Sequence, residues 1–402
     1  MVNLELPRRL MPLVTRAAQV ADEVFRPISR RYDRDEHTRP KELDMLAAVI
    51  DGMEEGAGTA GAGAHGVRRA DGGGDGNRNG ANMATALSVM ELSRGDVGLL
   101  LSMPRQGLGN SAIASVAGDE QLERFAGRWA AMAITEPEAG SDSAAIRTTA
   151  VRDGDEYVLN GEKIYVTAGE RADLVVVWAT LDRSLGRAAI KSFVVERSNP
   201  GLVLERLDRK LGIRASDTAA FRLVDCRVPA ENLLGSPDVD VKRGFGGAMQ
   251  TFDNTRPLVA AMAVGLTRGC LDETGRLLAG AGVAPDWDRP PDVQPAAVAG
   301  LIAMEADYEA ARLLTLEACW MADNGRPNSL QASMAKAKAG RVCVDVAQRC
   351  AALCGALGLG EQLLLEKWVR DAKILDIFEG TQQIQLLIIA RQLLGKTSAE
   401  LR

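Results

Sequence analysis

The hydrophobic pattern of this chain changes its period twice, and that change limits the folds that the chain can adopt. Apolar residues recur at helical spacing in residues 1–129, at the two-residue spacing of strands in 130–238, and at helical spacing again in 239–402. A chain of 402 residues is also longer than a typical single domain, so two or three domains are expected. The sequence therefore predicts a mostly helical α+β fold. Its parts are an N-terminal helical domain, a β-barrel or sandwich domain and a C-terminal helical bundle, which follow these three ranges.

Turn and breaker residues refine this division. Strands are predicted at residues 156–159, 163–166, 174–180 and 190–195, and Asn160-Gly161 between the first two is a hairpin signal. Five C-terminal helices are predicted, at residues 248–278, 296–323, 329–357, 361–378 and 381–394.

A glycine-rich segment interrupts the N-terminal helices. Residues 52–80 contain eleven glycines, including a formal GxGxxG at Gly56, Gly58 and Gly61. A nucleotide-binding GxGxxG must follow a strand and open a helix, whereas this one follows a helical segment. We interpret the region as a flexible or poorly ordered connection and not as a phosphate loop.

Composition argues against several classes of function. A net charge of −6 gives no electrostatic reason to expect nucleic acid or an anionic membrane as a partner. No apolar run approaches the roughly 20 residues of a membrane span. The chain has two histidines and six cysteines without a CxxC, so no metal site is expected. The prediction from cysteine usage is a reduced, cytoplasmic protein.

Two places could supply reactive side chains. Glu379-Gly380 links two predicted helices, with Thr381 placed to cap the second. Such a pair ordinarily only ends a helix. A carboxylate between apolar helices can, however, have its pKa raised by desolvation and act as a general base. Inside the helix at 248–278, Pro257 should distort the backbone and present its neighbours to a cavity; the alternative is a kinked helix with a solvated arginine.

Two further segments offer backbone donors, tight turns and hydroxyls to a ligand. They are TEPEAGSD at residues 135–142 and LNGEKIYVTAG at residues 159–169, and their hydroxyls are those of Thr135, Ser141 and Thr167. This set of groups suits a planar, hydrogen-bonding cofactor better than a metal or a bare phosphate.

These segments also resemble motifs of the acyl-CoA dehydrogenase family. Six motifs follow in the family's order over nearly the whole chain: AITEPEAGSDSAAIRTTA, LNGEKIYVTAG, KLGIRASDT, VPAENLLG, TFDNTRPLVAAMAVG and RDAKILDIFEGTQQIQ. The resemblance implies the family's fold and an enzyme that uses FAD and an acyl-CoA.

The resemblance assigns roles to individual residues. Glu379 matches the catalytic base; some relatives carry the base at the position of Thr255, where a threonine cannot serve. For FAD, the matching positions are Ile134 and Thr135 (flavin ring), Ser141 (pyrophosphate), Tyr165 (cover of the ring), Thr167 (near N5), and Thr381 and Gln383 (nucleotide part). For the acyl-CoA, they are Ser141, Asp253, Arg256, Phe378 and Gly380.

The reaction that the resemblance implies is α,β-dehydrogenation. Glu379 would remove the α-proton while the β-hydride moves to FAD N5, giving a trans-2-enoyl-CoA, and an electron-transferring flavoprotein would accept the electrons. The Glu379 backbone N–H and a ribityl hydroxyl would form the oxyanion hole, at about 3 kcal/mol per donor. Two other hypotheses stay open: a non-catalytic or base-supplying subunit of a hetero-oligomeric member, and an oxygen-using acyl-CoA oxidase.

Two segments depart from the family's pattern. Many members have R-K-T-F-G where this chain has AGVAP at residues 281–285, and Q-x-x-G-G-x-G where it has ALCGALGL at 352–359. In relatives both segments grip FAD across a subunit interface. Two assemblies therefore stay open: a homo-oligomer, or a hetero-oligomer in which a paralogous subunit supplies the missing contacts.

Overall fold

The computed structural model describes most of the chain. The sequence motif GxGxxG and the greater part of the glycine-rich segment lie outside the described residues. Those described are 6–54, 79–104, 108–239, 246–397 and 400, without the side chains of 49–54 and 246–254.

Helices form the N-terminal part of the chain, as predicted. The first two are joined by a π-helical turn at Ala21–Phe25, and the residues on either side of this turn keep helical dihedral angles. The helices are α1 Met11–Val20, α2 Arg26–Arg34, α3 Lys41–Glu54, α4 Ala81–Gly95, α5 Val97–Leu100, α6 Leu108–Val116 and α7 Asp119–Arg124.

A curled seven-stranded sheet occupies the middle of the chain, where a barrel or sandwich was expected. Its strands are β1 Ala130–Ala133, β2 Thr149–Asp153, β3 Glu156–Thr167, β4 Leu174–Thr180, β5 Ile190–Glu196, β6 Leu202–Leu207 and β7 Thr218–Pro229. The order across the sheet is β1-β4-β2-β3-β7-β6, and β5 pairs with the other edge of β4. The predicted strands at 174–180 and 190–195 are confirmed.

Both faces of this sheet are covered. Because successive side chains of a strand point to opposite faces, β4 contributes Val175 and Val177 to one hydrophobic cluster and Val176 and Trp178 to another. The second cluster also contains Ile113 of α6, so this helix packs on that face. Consequently all seven residues of β4 are buried.

The predicted hairpin at Asn160-Gly161 is wrong. β3 continues through this pair as one strand of twelve residues, and the hairpin turn lies earlier, at Gly154 between β2 and β3. Asn160 instead faces a bulge in β7, where its Oδ1 accepts a hydrogen bond from the Asp225 backbone N–H at 2.8 Å. At Gly161 a Cβ would lie 2.4 Å from Thr148 Oγ1. In this pair, which is typical of a turn, the asparagine binds the bulge in β7 and the glycine allows the close approach of Thr148.

The C-terminal part is a helical bundle, with the predicted five helices and one addition. The third predicted helix ends early because Gly355 takes a left-handed φ of 54°, and the fourth is shorter at both ends than predicted. No helix of the described residues is long and apolar enough to cross a bilayer. The helices are α8 Gly246–Gly280, α9 Ala296–Asp323, α10 Ser329–Leu353, α11 Gly355–Leu359, α12 Leu365–Leu375 and α13 Gln382–Leu394.

One hydrophobic core joins the N-terminal helices to this bundle. It includes Phe25 of the π-helical turn, Leu43 of α3, Leu99 of α5 and Trp368 of α12, all of them buried. Burying a large apolar side chain contributes about 1.5–3 kcal/mol. The two helical parts are therefore packed together although the sheet separates them in sequence.

A buried ion cluster ties three parts of the chain together. Lys367 Nζ of α12 lies 2.8 Å from the Asp96 carboxylate and 2.5 Å from the Asp371 carboxylate. Asp96 also accepts the Leu99 backbone N–H at 2.9 Å, and Asp371 accepts the Ile213 N–H, from the segment before β7, at 2.5 Å. Burial opposes a charged lysine, but the two carboxylates raise the pKa of Lys367 above its ordinary value. Lys367 therefore stays charged in the folded protein.

Replacing Lys367 by methionine would leave two buried carboxylates without their cation. We expect Lys367→Met to lower the free energy of unfolding by about 3–5 kcal/mol, measured by urea denaturation. Lys373→Met, on the same helix, is the matched control; its side chain is 53% exposed, so its loss should cost less than about 1 kcal/mol. Equal losses in the two variants would contradict the role given to the cluster.

Candidate active site

The link between α12 and α13 contains two consecutive left-handed residues. Glu379 has φ 55° and Gly380 has φ 94°. For a glutamate this conformation costs about 1–3 kcal/mol, and such residues concentrate at functional sites. α12 already ends at Leu375, so Gly380 does not directly follow the helix as predicted. A glycine is required at position 380 for another reason, because a Cβ there would lie 2.4 Å from Gln385 Nε2.

Glu379 is half-buried, with its carboxyl directed to α8. Thr255 Oγ1 donates a hydrogen bond to Glu379 Oε2 at 2.7 Å. Burial raises the pKa of Glu379 above its ordinary value, while the Thr255 hydroxyl and the charges of Arg256 and Lys336 oppose that rise. A carboxyl with a raised pKa on a strained link has the properties of a general base.

An apolar cleft lies beside Thr255. It lies between α8 and the helices α4, α5 and α6. A concave apolar surface with a polar group at one place is suited to a hydrocarbon chain attached to a polar head. The other lining residues are Val89, Leu100, Leu101, Leu108, Ser111, Leu258, Val259 and Met262.

The stretch of α8 around Pro257 behaves in part as predicted. The helix continues through Pro257, and Thr255 reaches the cleft. The alternative of a solvated arginine is wrong, because Arg256 is 3% exposed. The side chain of Asp253 lies outside what the structure describes.

On the sheet, a buried lysine holds the TEPEAGSD segment against β3. Lys163 Nζ donates to the Ile134 carbonyl at 3.1 Å and to Glu136 Oε1 at 2.8 Å. Burial lowers the pKa of Lys163 to about 8, against the opposing effect of the Glu136 carboxylate. The Thr135 carbonyl accepts the Ile164 N–H at 2.9 Å. These bonds fix the backbone of Ile134 and Thr135 next to the strand.

Tyr165 lies on a β-bulge of the same strand. Lys163 pairs with Phe221 and Val166 with Ala219, so two residues of β3 oppose one residue of β7. Tyr165 takes a left-handed φ of 59° there, and its side chain is 64% exposed. A bulge re-aims side chains, and a strained, exposed aromatic residue indicates a ligand surface. The ring fits the flat cofactor that the sequence implies.

The remaining predicted residues fall in three places. Thr167 is half-buried two residues after Tyr165, so both side chains leave the strand on one face. Thr381 caps α13, its hydroxyl accepting the Ile384 N–H at 3.4 Å, and Phe378 packs against the helical core. Two residues are exposed: Ser141 and Gln383.

Sequence reasoning missed several partners of these residues. Thr255 was expected at a cavity and excluded as a base, but its hydrogen bond to the base candidate was not anticipated. Lys336 and Gln385 both donate to the carbonyls of the strained link. A signal for Lys336 was present, because it lies on the apolar face of a predicted helix, four residues after Ala332.

Comparison with known proteins identifies the family of the chain. The family model "Acyl-CoA dehydrogenase, middle domain" matches residues 131–226, and "Acyl-CoA dehydrogenase, C-terminal domain" matches residues 242–394. The mitochondrial short-chain specific acyl-CoA dehydrogenase of Rattus norvegicus is 32% identical, over 98% of this chain and 92% of that protein. Cyclohex-1-ene-1-carbonyl-CoA dehydrogenase of Geobacter metallireducens is 36% identical, over 78% and 82%.

The fold comparison points the same way. The structure of butyryl-CoA dehydrogenase from Megasphaera elsdenii superposes with a TM-score of 0.80 at 27% identity, covering 98% of this chain and 100% of that one. Sequence and fold both match over almost the full length. The chain therefore belongs to the acyl-CoA dehydrogenase family and is, like its homologues, an FAD-dependent oxidoreductase that acts on CH–CH bonds.

Proposed function

We propose that this enzyme converts an acyl-CoA thioester to the trans-2-enoyl-CoA, with Glu379 as the base that removes the α-proton. The observation that carries the proposal is the Glu379 carboxyl group, half-buried on a strained link and hydrogen-bonded to Thr255 at the apolar cleft. An acyl chain in this cleft would expel water from around the carboxylate. The pKa of the carboxyl, already raised by burial, would then rise further towards that of the proton it removes.

The backbone of Glu379 supports the same reaction. The α-proton of a thioester is weakly acidic, so the thioester carbonyl must be polarised by hydrogen-bond donors. Among the residues that the structure describes, none accepts a hydrogen bond from the Glu379 N–H. This N–H is available to the thioester oxygen, and one such donor typically stabilises the developing oxyanion by about 3 kcal/mol. One strained residue would supply both the base and a donor.

Residues of the sheet and of α13 would hold the cofactor. FAD, when bound, supplies the acceptor for the hydride that leaves the β-carbon. The exposed ring of Tyr165 and the fixed backbone beside β3 support a flavin ring at this face. The proposed contacts are Ile134, Thr135, Tyr165 and Thr167 for the ring, Ser141 for the pyrophosphate, and Thr381 and Gln383 for the nucleotide part.

The acyl-CoA would contact residues on both sides of the base. Phe378 and Gly380 flank Glu379 in the chain, and Arg256 follows Thr255 on α8. Asp253, one turn earlier on α8, and Ser141, in the segment between β1 and β2, complete the proposed set. We propose an electron-transferring flavoprotein as the partner that reoxidises the flavin.

The assembly is proposed to be hetero-oligomeric. Residues 281–285 and 352–359 contain neither the arginine nor the glutamine that relatives use to grip FAD across an interface. Within α11, Leu357 and Leu359 are 53% and 70% exposed, so apolar side chains stand where that grip would be. A paralogous subunit would cover this surface and supply the missing contacts.

This assembly predicts the cofactor content. We expect the chain purified alone to hold clearly less than one FAD per chain, measured by flavin absorbance against protein concentration. A full equivalent of tightly bound FAD in the isolated chain would favour a homo-oligomer.

The base assignment predicts the behaviour of Glu379→Gln. The amide keeps the shape of the side chain but cannot accept the α-proton. We expect unchanged FAD content and flavin reduction by acyl-CoA that is slower by about 10²–10⁴-fold, measured as anaerobic bleaching of the flavin spectrum.

Three outcomes of this experiment separate the hypotheses. Near-normal bleaching in Glu379→Gln would contradict the base assignment. No bleaching in the unmodified enzyme with FAD bound, tested with thioesters of several chain lengths, would indicate a non-catalytic subunit. Stoichiometric peroxide release in air would favour an acyl-CoA oxidase.

The pH dependence of the rate follows from the same carboxyl. Glu379 must be deprotonated to act, so kcat/KM should fall as pH drops through its pKa, which burial places above the ordinary 4.5. The Thr255 hydroxyl lowers this pKa, and Thr255→Val should therefore move the acidic limb to higher pH. Thr267→Val is the matched control on α8, because that hydroxyl donates to the Ala263 carbonyl at 2.7 Å. A limb that does not move in Thr255→Val would contradict the assignment.

A further inference from the structure

Two buried side chains converge on the strained link. Lys336 Nζ of α10 donates to the Gly380 carbonyl at 2.8 Å. Gln385 Nε2 of α13 donates to the Glu379 carbonyl at 3.2 Å and to the Gly380 carbonyl at 3.1 Å. Lys336 is 1% exposed and Gln385 is fully buried. Two consecutive carbonyls are thus held from inside the bundle by side chains of two different helices.

The link requires such support. A left-handed glutamate is higher in energy than a residue in the ordinary helical or extended regions, and it persists only where its surroundings fix it. The carbonyl of Glu379 belongs to the peptide plane that follows this residue, and the carbonyl of Gly380 belongs to the next plane. Bonds to both carbonyls fix the two peptide planes that follow Glu379, and they so restrict the backbone angles that direct its carboxyl side chain.

A lysine is a costly choice for this position. Lys336 lies on the buried face of α10 with Ala332, Ala339 and Cys343, where an apolar residue would be expected. Burial lowers its pKa to about 8, although the nearby carboxylates of Asp376 and Glu379 oppose that shift. A buried ammonium persists where its hydrogen bonds and charges are needed.

We propose that Lys336 and Gln385 are positioning residues for Glu379, which hold the link so that its carboxyl faces the substrate. The catalytic effect of these two residues rests on the proposed function of Glu379 as the base. The hydrogen-bond geometry stands without it. Neither side chain is assigned a contact with substrate or cofactor.

The charge of Lys336 has a second effect on the base. The groups that face this ammonium are Arg256 from α8 together with Asp376 and Glu379 from the end of α12 and the link. The ammonium lowers the pKa of Glu379, against the larger effect of burial. Removing it should therefore move the acidic limb of kcat/KM to higher pH. A residue that only fills space would leave that limb in place.

The test compares Lys336→Met with Lys338→Met. Lys338 is on the same helix, is 38% exposed and pairs with Asp307 at 2.7 Å, so it makes the matched control. We expect Lys336→Met to lower kcat by about 100-fold with little change in KM, as misplacement of reacting groups does. Amide hydrogen exchange in residues 376–385, measured by mass spectrometry, should rise by about tenfold or more in the same variant. Lys338→Met should change neither quantity.

Gln385→Met keeps the size of the side chain and removes its donor, so it provides the same test through α13. Faster exchange confined to the link in either variant, with the loss of kcat, supports the proposal. Unchanged exchange in the link in both variants, or exchange that rises equally through the whole bundle, overturns it. If the unmodified enzyme reduces no flavin with any acyl-CoA, the proposed function fails, while the exchange measurement still decides the positioning role.

Discussion

The ion cluster around Lys367 is the interaction on which the placement of the site depends. Its charged groups come from the start of α5 and from α12, and it also binds the backbone of Ile213 before β7. Ions buried in this way need their partners at hydrogen-bond distance, so they define one registry between elements more strictly than apolar contacts of the same area. Because the link that carries Glu379 follows α12, the registry of α12 also sets the position of the base.

The backbone strain of this link is compensated by hydrogen bonds from the helices around it. The energetic cost of the left-handed Glu379 backbone is offset by hydrogen bonds from α10 and α13. The pKa of its carboxyl is raised by burial and lowered by the hydrogen bond from Thr255. Three helices that are distant in sequence therefore converge on one residue. The site is built mainly from rigid helices, and only two residues of the link carry the unusual backbone.

The sequence predicted the architecture because period and length are local properties of each segment. It predicted Glu379 because a carboxylate between two apolar helices is visible in the chain itself. It placed a hairpin at Asn160-Gly161 because the pair is common in turns, and the demand that overrode this preference, a bulge in β7, lies about 65 residues away. The role of Lys336 was missed for a similar reason, because its partner is the backbone of Gly380, 44 residues away, and a backbone carbonyl carries no residue-specific signal.

The bulge at Tyr165 has a consequence for how this strand can change during evolution. Before it, alternate residues such as Tyr157 and Leu159 enter the core; after it, Val166 and Ala168 do so, with the opposite parity. The extra residue thereby releases Thr167 to the other face. Substitutions within β3 preserve this inversion, but losing or gaining a single residue between Lys163 and Val166 would exchange the two faces. A change in the length of this strand would therefore disturb the fold more than a substitution within it.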